Sequence, residues 1–428
     1  MSRCSTNKEA WEKIFEKYNI LEEIKNKGYF KISSKEINEF REARLMTKFD
    51  NSESIPEILK KNELSILPIS SNSYMVAKFD AYKKFERIPK EVQKVEFLPY
   101  IESLDYNNIT SETLALNCAY ITKILEDFLG EEELVPTVSG KMGSGVFNFE
   151  IAQINSNKKM SINVENSRIE IDGGYEGTNS LALIEAKNVV AEDFLVRQLY
   201  YPYRLWKSKV TKLVRPIYIV YSNGIFTIFE YKFNKENEYS SIELVKCKKY
   251  SIEDTNIDLG TIQNLIDNIK NFDQEPTVSF PQANNFERVI NLCEMLQNSE
   301  KEKQEITNNY EFVSRQTNYY TDAAIYLGLI KKSGTKIKKF EITNLGKQIL
   351  KLNYKSRQIE FVKLILSHKV FHMTIKKYFE KSEMPSDDEI VNYMRECKLY
   401  NITSDITYYR RASTIKSWIY WIISLVTE

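Results

Sequence analysis

Apolar residues recur along this chain with three successive textures. From residue 7 to 43 they fall at helical spacing, with a break near Gly28. Residues 64–80 (LSILPISSNSYMVAKFD) alternate around a turn, as paired strands do. Leu114, Cys118, Ile121, Leu125 and Phe128 then mark one face of a helix over 111–129. After Gly130 the period shortens to two. Pro136, Gly140, Gly143 and Gly145 punctuate a predicted loop, and Val146–Ile154, Met160–Val164 and Ile169–Asp172 read as short alternating strands. Leu181–Ala186 is a continuous apolar run, as expected of a strand buried on both faces. A helix from about Ala191 to Lys207 follows, then strands Pro216–Tyr221 and Ile225–Phe233 around the turn Ser222-Asn223-Gly224. Strands, helix, strands predict an α/β or α+β unit.

Asn268–Asn284 is polar, carries two prolines and reads as a linker. Beyond it the third texture is mostly helical. Phe286–Leu296 and Ser314–Leu329 are predicted helices, followed by the basic turn Lys331–Lys339 and a strand-like Phe340–Thr343. That order matches a helix-turn-helix with a β-wing. A helical block, Ile359–Leu425, follows. Its apolar run Ile415–Val426 is short and interrupted by Lys416 and Ser417, which favours a packed helix over a membrane span.

At 428 residues the chain predicts two or three domains. Its net charge is only +1, yet Asn284–Glu428 holds 23 Lys/Arg against 17 Asp/Glu, so a basic bias sits in the last third. Five scattered cysteines without a CxxC pair argue against a disulfide framework or zinc site and fit a reducing cytosol. The N-terminal MSRCSTNKEAWEK has no apolar signal core. With only His368 and His372, expected on or near a helix surface, histidine-based nuclease or Ser-His-Asp chemistry has little material.

The candidate chemistry lies in RIEIDGGYEGTNSLALIEAKN, residues 168–188. An alternating strand is expected to end in Asp172, and after a turn a buried strand delivers Glu185 and Lys187. Two apart on a strand, these side chains share a face while Ala186 points into the core. Two carboxylates can hold Mg²⁺, a hard cation that keeps several waters. Such a cation lowers the pKa of a bound water and polarises a phosphoryl oxygen. Lys187 would orient or deprotonate that water, or neutralise the phosphate. Glu170 and Glu176 are candidates for a third acid, Glu150 a weaker one. After Asp193 no acid occurs until Glu230, while Arg197, Arg204, Lys207, Lys209, Lys212 and Arg215 interleave with Tyr200, Tyr201, Tyr203 and Trp206. Such a basic, aromatic helix suits a phosphate backbone.

Asp172 followed by Glu185-Ala186-Lys187 resembles the PD-(D/E)xK nuclease superfamily, with Ile171 in place of the usual proline. In many relatives a Gln after the xK strand supports the active site, which by that resemblance is Gln198. The text around ARLMTKFD, LSILPIS and Y-x-V, with IEIDGGYE, IEAKN and RQLYYPYR, is similar to a group of bacterial type II restriction endonucleases over about the first 235 residues. The resemblance implies Mg²⁺-dependent, sequence-specific cleavage of double-stranded DNA and a companion DNA methyltransferase in the same system. It also makes Arg44 and Lys48 candidate DNA contacts. One active site per chain makes a homodimer the default for a double-strand cut.

Two further regions are expected to meet DNA, besides Arg197 and Arg204. Arg315, Gln316 and Asn318 cluster at the start of the helix opening at Ser314, a plausible N-cap. These side chain types make bidentate contacts to guanine and adenine edges, and a recognition helix enters the major groove by its N-terminal end. Arg410, Arg411, Thr414 and Lys416 would face phosphate or base from a second helix-turn-helix begun by Met384–Lys398, with Trp418 and Trp421 packing the helix. The predicted architecture is α+β. It has an N-terminal, mostly helical region with a DNA-contacting loop (1–130) and a PD-(D/E)xK core of mixed sheet flanked by helices (131–270). A winged helix (284–352) and a C-terminal helical domain (353–428) complete it. The competing readings are another nuclease on that fold, for repair or modified DNA, and a non-enzymatic winged-helix regulator.

Overall fold

The structure, a computed structural model, describes residues 6–309, 314–334 and 338–427. A seven-stranded mixed sheet organises the middle of the chain. Its strands are β1 (Gln93–Lys94), β2 (Val135–Gly143), β3 (Arg168–Glu176), β4 (Ser180–Lys187), β5 (Leu213–Ser222), β6 (Ile225–Phe233) and β7 (Ile242–Ser251). They lie in the order β1-β7-β6-β5-β4-β3-β2. β4 and β5 run parallel, and parallel neighbours need a crossover. Helix α1 (Arg197–Lys207) supplies it.

The all-apolar reading of β4 holds: every residue from Ser180 to Ala186 is buried. Leu181 and Leu183 face a core built with Leu199, Tyr200 and Tyr201 of α1 and with the hairpin Val146–Ala152/Lys159–Glu165. Ala182, Ile184 and Ala186 face the helices Glu112–Ile121 and Ile124–Leu129. Odd-numbered positions therefore point toward α1, which decides where Glu185 and Lys187 go.

Several local expectations are corrected. Gly173 and Gly174 are not a turn. β3 runs through them to Glu176, because a Cβ on Gly174 would lie 2.6 Å from Val138 Cβ and glycine alone lets β2 approach so closely. The punctuated loop at Pro136 is edge strand β2, whose register shifts around Val138 absorb the proline. β7 had no counterpart among the predicted strands. Tyr29–Ser33 is a strand that joins Ser73–Ala77 and Ser65–Pro68 in a small N-terminal sheet, not part of a helix. The helix over 111–129 breaks at Lys123, which sits at φ 60°. The helix expected from Ala191 starts only at Arg197, since Asp193–Leu195 pairs with Tyr82–Lys84. Both histidines are buried, not on a surface: His372 Nε2 lies 2.8 Å from the Ile266 carbonyl oxygen and His368 stacks on Tyr326.

The last third begins with helix Phe286–Leu296, short strand Lys301–Glu302 and helices Lys303–Asn309 and Ser314–Tyr326. Strands Ile330–Ser333 and Lys339–Ile342 follow, with the latter at the centre of a three-stranded antiparallel sheet. The Ser314 cap and part of the basic turn lie outside the described residues. Five more helices follow, ending in Asp405–Ser424. Among the described residues no helix is long and apolar enough to cross a membrane.

The turn between β5 and β6 plugs into this last third. Asn223, 2% exposed, takes the left-handed conformation (φ 54°) that its residue type tolerates. Its amide accepts from Arg357 Nε (3.0 Å) and Gln358 Nε2 (2.9 Å), and its backbone N–H donates to Glu294 Oε1 (2.8 Å). Its Nδ2 donates to Gln358 Oε1 at 3.2 Å, so both ends of the buried side chain amide are matched, as burial requires. Trp418 is fully buried against Phe286 and Phe371 and donates its indole N–H to the Ala283 carbonyl at 2.7 Å. Trp418→Ala is expected to lower stability by about 3–5 kcal/mol, read as a shifted midpoint in urea unfolding followed by fluorescence. A loss below about 1 kcal/mol would show that this contact is dispensable.

Candidate active site

β3 and β4 are paired by their backbones up to Gly173 opposite Ile184. Past that point the side chain of Asp172 takes over, and its Oδ2 accepts the backbone N–H of Ala186 at 2.8 Å. Asp172 is thereby fixed beside Glu185 from mid-strand, not from the strand end expected. Glu185 is 7% exposed. Its Oε1 accepts from Gln198 Nε2 on the first turn of α1 at 2.6 Å and from Lys187 Nζ. The four residues expected to act together, Asp172, Glu185, Lys187 and Gln198, are adjacent.

Two acids join them that sequence reasoning missed. Asp50 Oδ2 and Glu112 Oε1 each lie 3.9 Å from Lys187 Nζ. Asp50 comes from the N-terminal region and Glu112 from the first residue of helix Glu112–Ile121. Neither Glu170 nor Glu176 pairs with Lys187: Glu170 is exposed, 3.6 Å from Lys141, and Glu176 pairs with Lys212 at 2.7 Å. Glu150 also faces solvent. The only local hint of Glu112 is Ser111, a helix N-cap.

Burial dominates the electrostatics. It pushes the Glu185 carboxyl up to about 8, with Asp172 and Asp50 adding to the rise and Lys187 opposing it. Glu112 is also raised, by burial and by the same two acids. Burial works against the charge on Lys187, yet Glu185 and Asp50 outweigh it and hold the ammonium well above its ordinary value. Burial likewise opposes Asp50, but Lys187, Lys48 and Arg197 keep it below the usual carboxylate range. The donor set fits a hard cation in type, since every candidate ligand is a carboxylate oxygen. Among the described residues, though, no three such side chains converge on one point, and the carboxylates close on Lys187 instead.

The expected DNA contacts separate into two groups. Arg44 and Lys48 are exposed, and Lys48 lies beside this cluster, 3.4 Å from Asp50. Arg197 lies over the Tyr201 ring. Arg204 is turned inward: its guanidinium donates to the carbonyls of Asn148 and Glu236 and to Tyr200 Oη, leaving no free face for DNA. Arg215 is likewise committed, to Glu230. Tyr200, Tyr201 and Tyr203 are core residues.

In the last third Arg315 and Asn318 are exposed, and Arg315 donates to Tyr319 Oη. Gln316 is occupied, donating to Glu53 Oε1 at 3.0 Å, while Glu53 Oε2 pairs with the buried Arg288 at 2.8 Å. Arg410 is exposed. Arg411 donates to Gln282 at 2.7 Å, and burial, then Arg410, hold its pKa below the usual value. Lys416 pairs with Asp387 at 2.6 Å. Thr414, expected to face DNA, is buried and donates to Asn284.

Comparison with known families gives three consecutive matches, each to a domain of unknown function. Residues 8–76 match a Domain of unknown function (DUF6996), 77–251 a second (DUF6997) and 288–427 a third (DUF7226). No curated protein and no solved structure matches the chain.

The raised Glu185 carboxyl fixes a sign. Between its ordinary pKa and about 8 the native state keeps a proton that the unfolded chain has lost, so stability falls as pH rises through that window. In metal-free protein the Glu185 carbon resonance is expected to titrate near 8, and Glu185→Gln to remove that part of the pH dependence of unfolding. An ordinary titration near 4.5 would contradict the burial account.

Proposed function

We propose that this chain is a Mg²⁺-dependent type II restriction endonuclease that hydrolyses phosphodiester bonds of double-stranded DNA at a short specific sequence. The observation that carries the reading is the convergence of Asp172, Glu185, Lys187 and Gln198 from two paired strands and the crossover helix. A mixed sheet whose adjacent strands present two acids and a lysine beside a helix is the arrangement a PD-(D/E)xK core requires. Asp172 and Glu185 would hold the metal, which supplies an activated water and charge neutralisation at the phosphoryl group. Gln198 orients the Glu185 carboxylate. Lys187, kept cationic by Glu185 and Asp50, faces the developing phosphate charge or steers the attacking water. Lys48 and Arg197 set positive charge beside the cluster for the backbone, and the exposed Arg44 precedes them on the same N-terminal segment as Lys48.

The helix-strand-helix-helix-strand-strand order after residue 286 supports a winged helix, with Ser314–Tyr326 as its reading helix. Arg315 and Asn318 are its available base-reading side chains, and Arg410 adds charge. Arg411 lies within electrostatic reach of Tyr319 and Asp322, which supports the C-terminal helix acting together with helix Ser314–Tyr326. A homodimer would bring two such sites to the two strands, and a companion methyltransferase would protect the host's own sites.

Purified protein incubated with unmethylated phage DNA is expected to give discrete bands with Mg²⁺ and none with EDTA. A smear favours a nonspecific nuclease; intact DNA under all methylation states sinks the enzyme reading. Lys187→Ala should lower the single-turnover rate by on the order of 1,000-fold while site-specific binding in a gel shift persists. A fully active variant would show that the chemistry is elsewhere. Arg315→Ala should cost roughly 1–3 kcal/mol of discrimination per lost base contact, measured as the ratio of affinities for cognate and mismatched duplexes. An unchanged ratio with uniformly weaker binding would make Arg315 a phosphate contact.

A further inference from the structure

A cleft of about 360 Å³ opens between the central sheet and helix Phe286–Leu296, within the range of small-ligand sites. It adjoins the candidate active site along two chain segments. Asn188, in its wall, directly follows Lys187, and Thr110 lies two residues before Glu112. The wall is held in place: Asn291 donates to the Asn188 carbonyl at 2.8 Å and accepts the N–H of Val190 at 3.3 Å.

The lining has two characters. Val189, Tyr221 and Met295 give it apolar sides, while Asn107, Asn108, Asn188 and Gln297 offer neutral donors and acceptors. The charged groups in its wall are largely spent elsewhere: Glu294 accepts from Ser222 and Asn223, and Arg357 donates to Asn223 and the Leu352 carbonyl. Among the described residues of the wall, Lys301 alone is left for a phosphate. A flat, apolar-faced ring with hydrogen-bonding edges is matched on both counts, which is how enzymes hold a base taken out of the stack. One wall atom also lacks its complement: Asn188 Oδ1 is buried and accepts no hydrogen bond among the described residues. An unmade bond to a buried acceptor is costly, and a turn of the half-buried Asn188 side chain toward the cleft lets an entering N–H donor recover it.

We propose that this cleft is a nucleobase site, taking one unpaired base with an N–H donor edge, such as adenine or cytosine, from the DNA strand whose backbone crosses the carboxylate–lysine cluster. The proposal rests on the nuclease reading for the source of the base, and its test does not. Saturation-transfer NMR on the full chain, without metal or DNA, would use adenosine, cytidine and ribose 5-phosphate as probes. Transfer to the base protons of adenosine and cytidine is expected, with none to ribose 5-phosphate. Met295→Trp, which fills the cleft, should abolish it. Asn108→Trp, on an exposed loop where folding is not at stake, should do the same. Asn188→Leu should weaken binding roughly fivefold, the effect of one hydrogen bond, and Asn188→Asp should retain it. Absent transfer, or signals undiminished in both tryptophan variants, would overturn the site. Nucleoside transfer by a protein that cuts no DNA would sink the nuclease reading and leave the cleft standing; cutting without transfer would do the reverse.

Discussion

A lysine ammonium buried among carboxylates sets the terms for the rest of this molecule. Taking Lys187 out of water costs several kcal/mol unless acceptors and opposite charge surround it; no single element supplies them, and Asp50 is the acid held below its usual range. Glu185 comes from the same strand, Glu112 from a helix on the far side of the sheet and Asp50 from the N-terminal region. Asp50 is positioned in turn by its own segment. Its carbonyl accepts the Leu195 N–H at 2.7 Å, and Ser52 grips Asp193 through backbone and hydroxyl. The charge balance of the cluster therefore exists only when the N-terminal region is seated on the sheet.

The same economy of matched polar groups joins the sheet to the last third of the chain. Asn223 enters a pocket where Arg357, Gln358 and Glu294 complete its hydrogen bonds. Asn291, one helical turn before Glu294 on the same helix, secures the residues that follow Lys187. A displacement of helix Phe286–Leu296 is transmitted to the end of β4 through two hydrogen bonds. Apolar packing alone, being non-directional, would not fix that registry.

Where local pattern and burial agree, the sequence was legible. The run Leu181–Ala186 could only be an interior strand, and the spacing of Glu185 and Lys187 put both on one face before any contact was known. Ser222-Asn223-Gly224 and Phe286–Leu296 were readable for similar local reasons. Gly173-Gly174 misled because glycine marks both turns and close strand contacts, and only the neighbouring Val138 decides between them. β7 escaped because four of the ten residues in its IELVKCKKYS text are charged, with Lys246 and Lys248 stretching to Phe128 and Asp127 on the adjoining helix. Asp50 and Glu112 were illegible in principle. An acid in a solvated loop and an acid at a helix start are ordinary, and the fold alone brings them to Lys187. Arg204 failed as a DNA contact for the converse reason: composition shows a basic helix but not which of its faces is turned inward.

Glu53 gives helix Ser314–Tyr326 an internal partner. Its carboxylate holds Gln316 with one oxygen and the interior Arg288 with the other, so it sits where an acceptor on a base edge would otherwise sit. In the proposed reading, Gln316 engages a base only by giving up that carboxylate, and apparent affinity is lowered by the fraction of time the amide is free. This is an entry threshold. A sequence offering the full set of contacts repays the exchange, while a near match leaves Gln316 with its internal partner. Because Glu53 lies three residues from Asp50, that threshold and the counter-charge of Lys187 are carried on one short, pinned stretch of backbone.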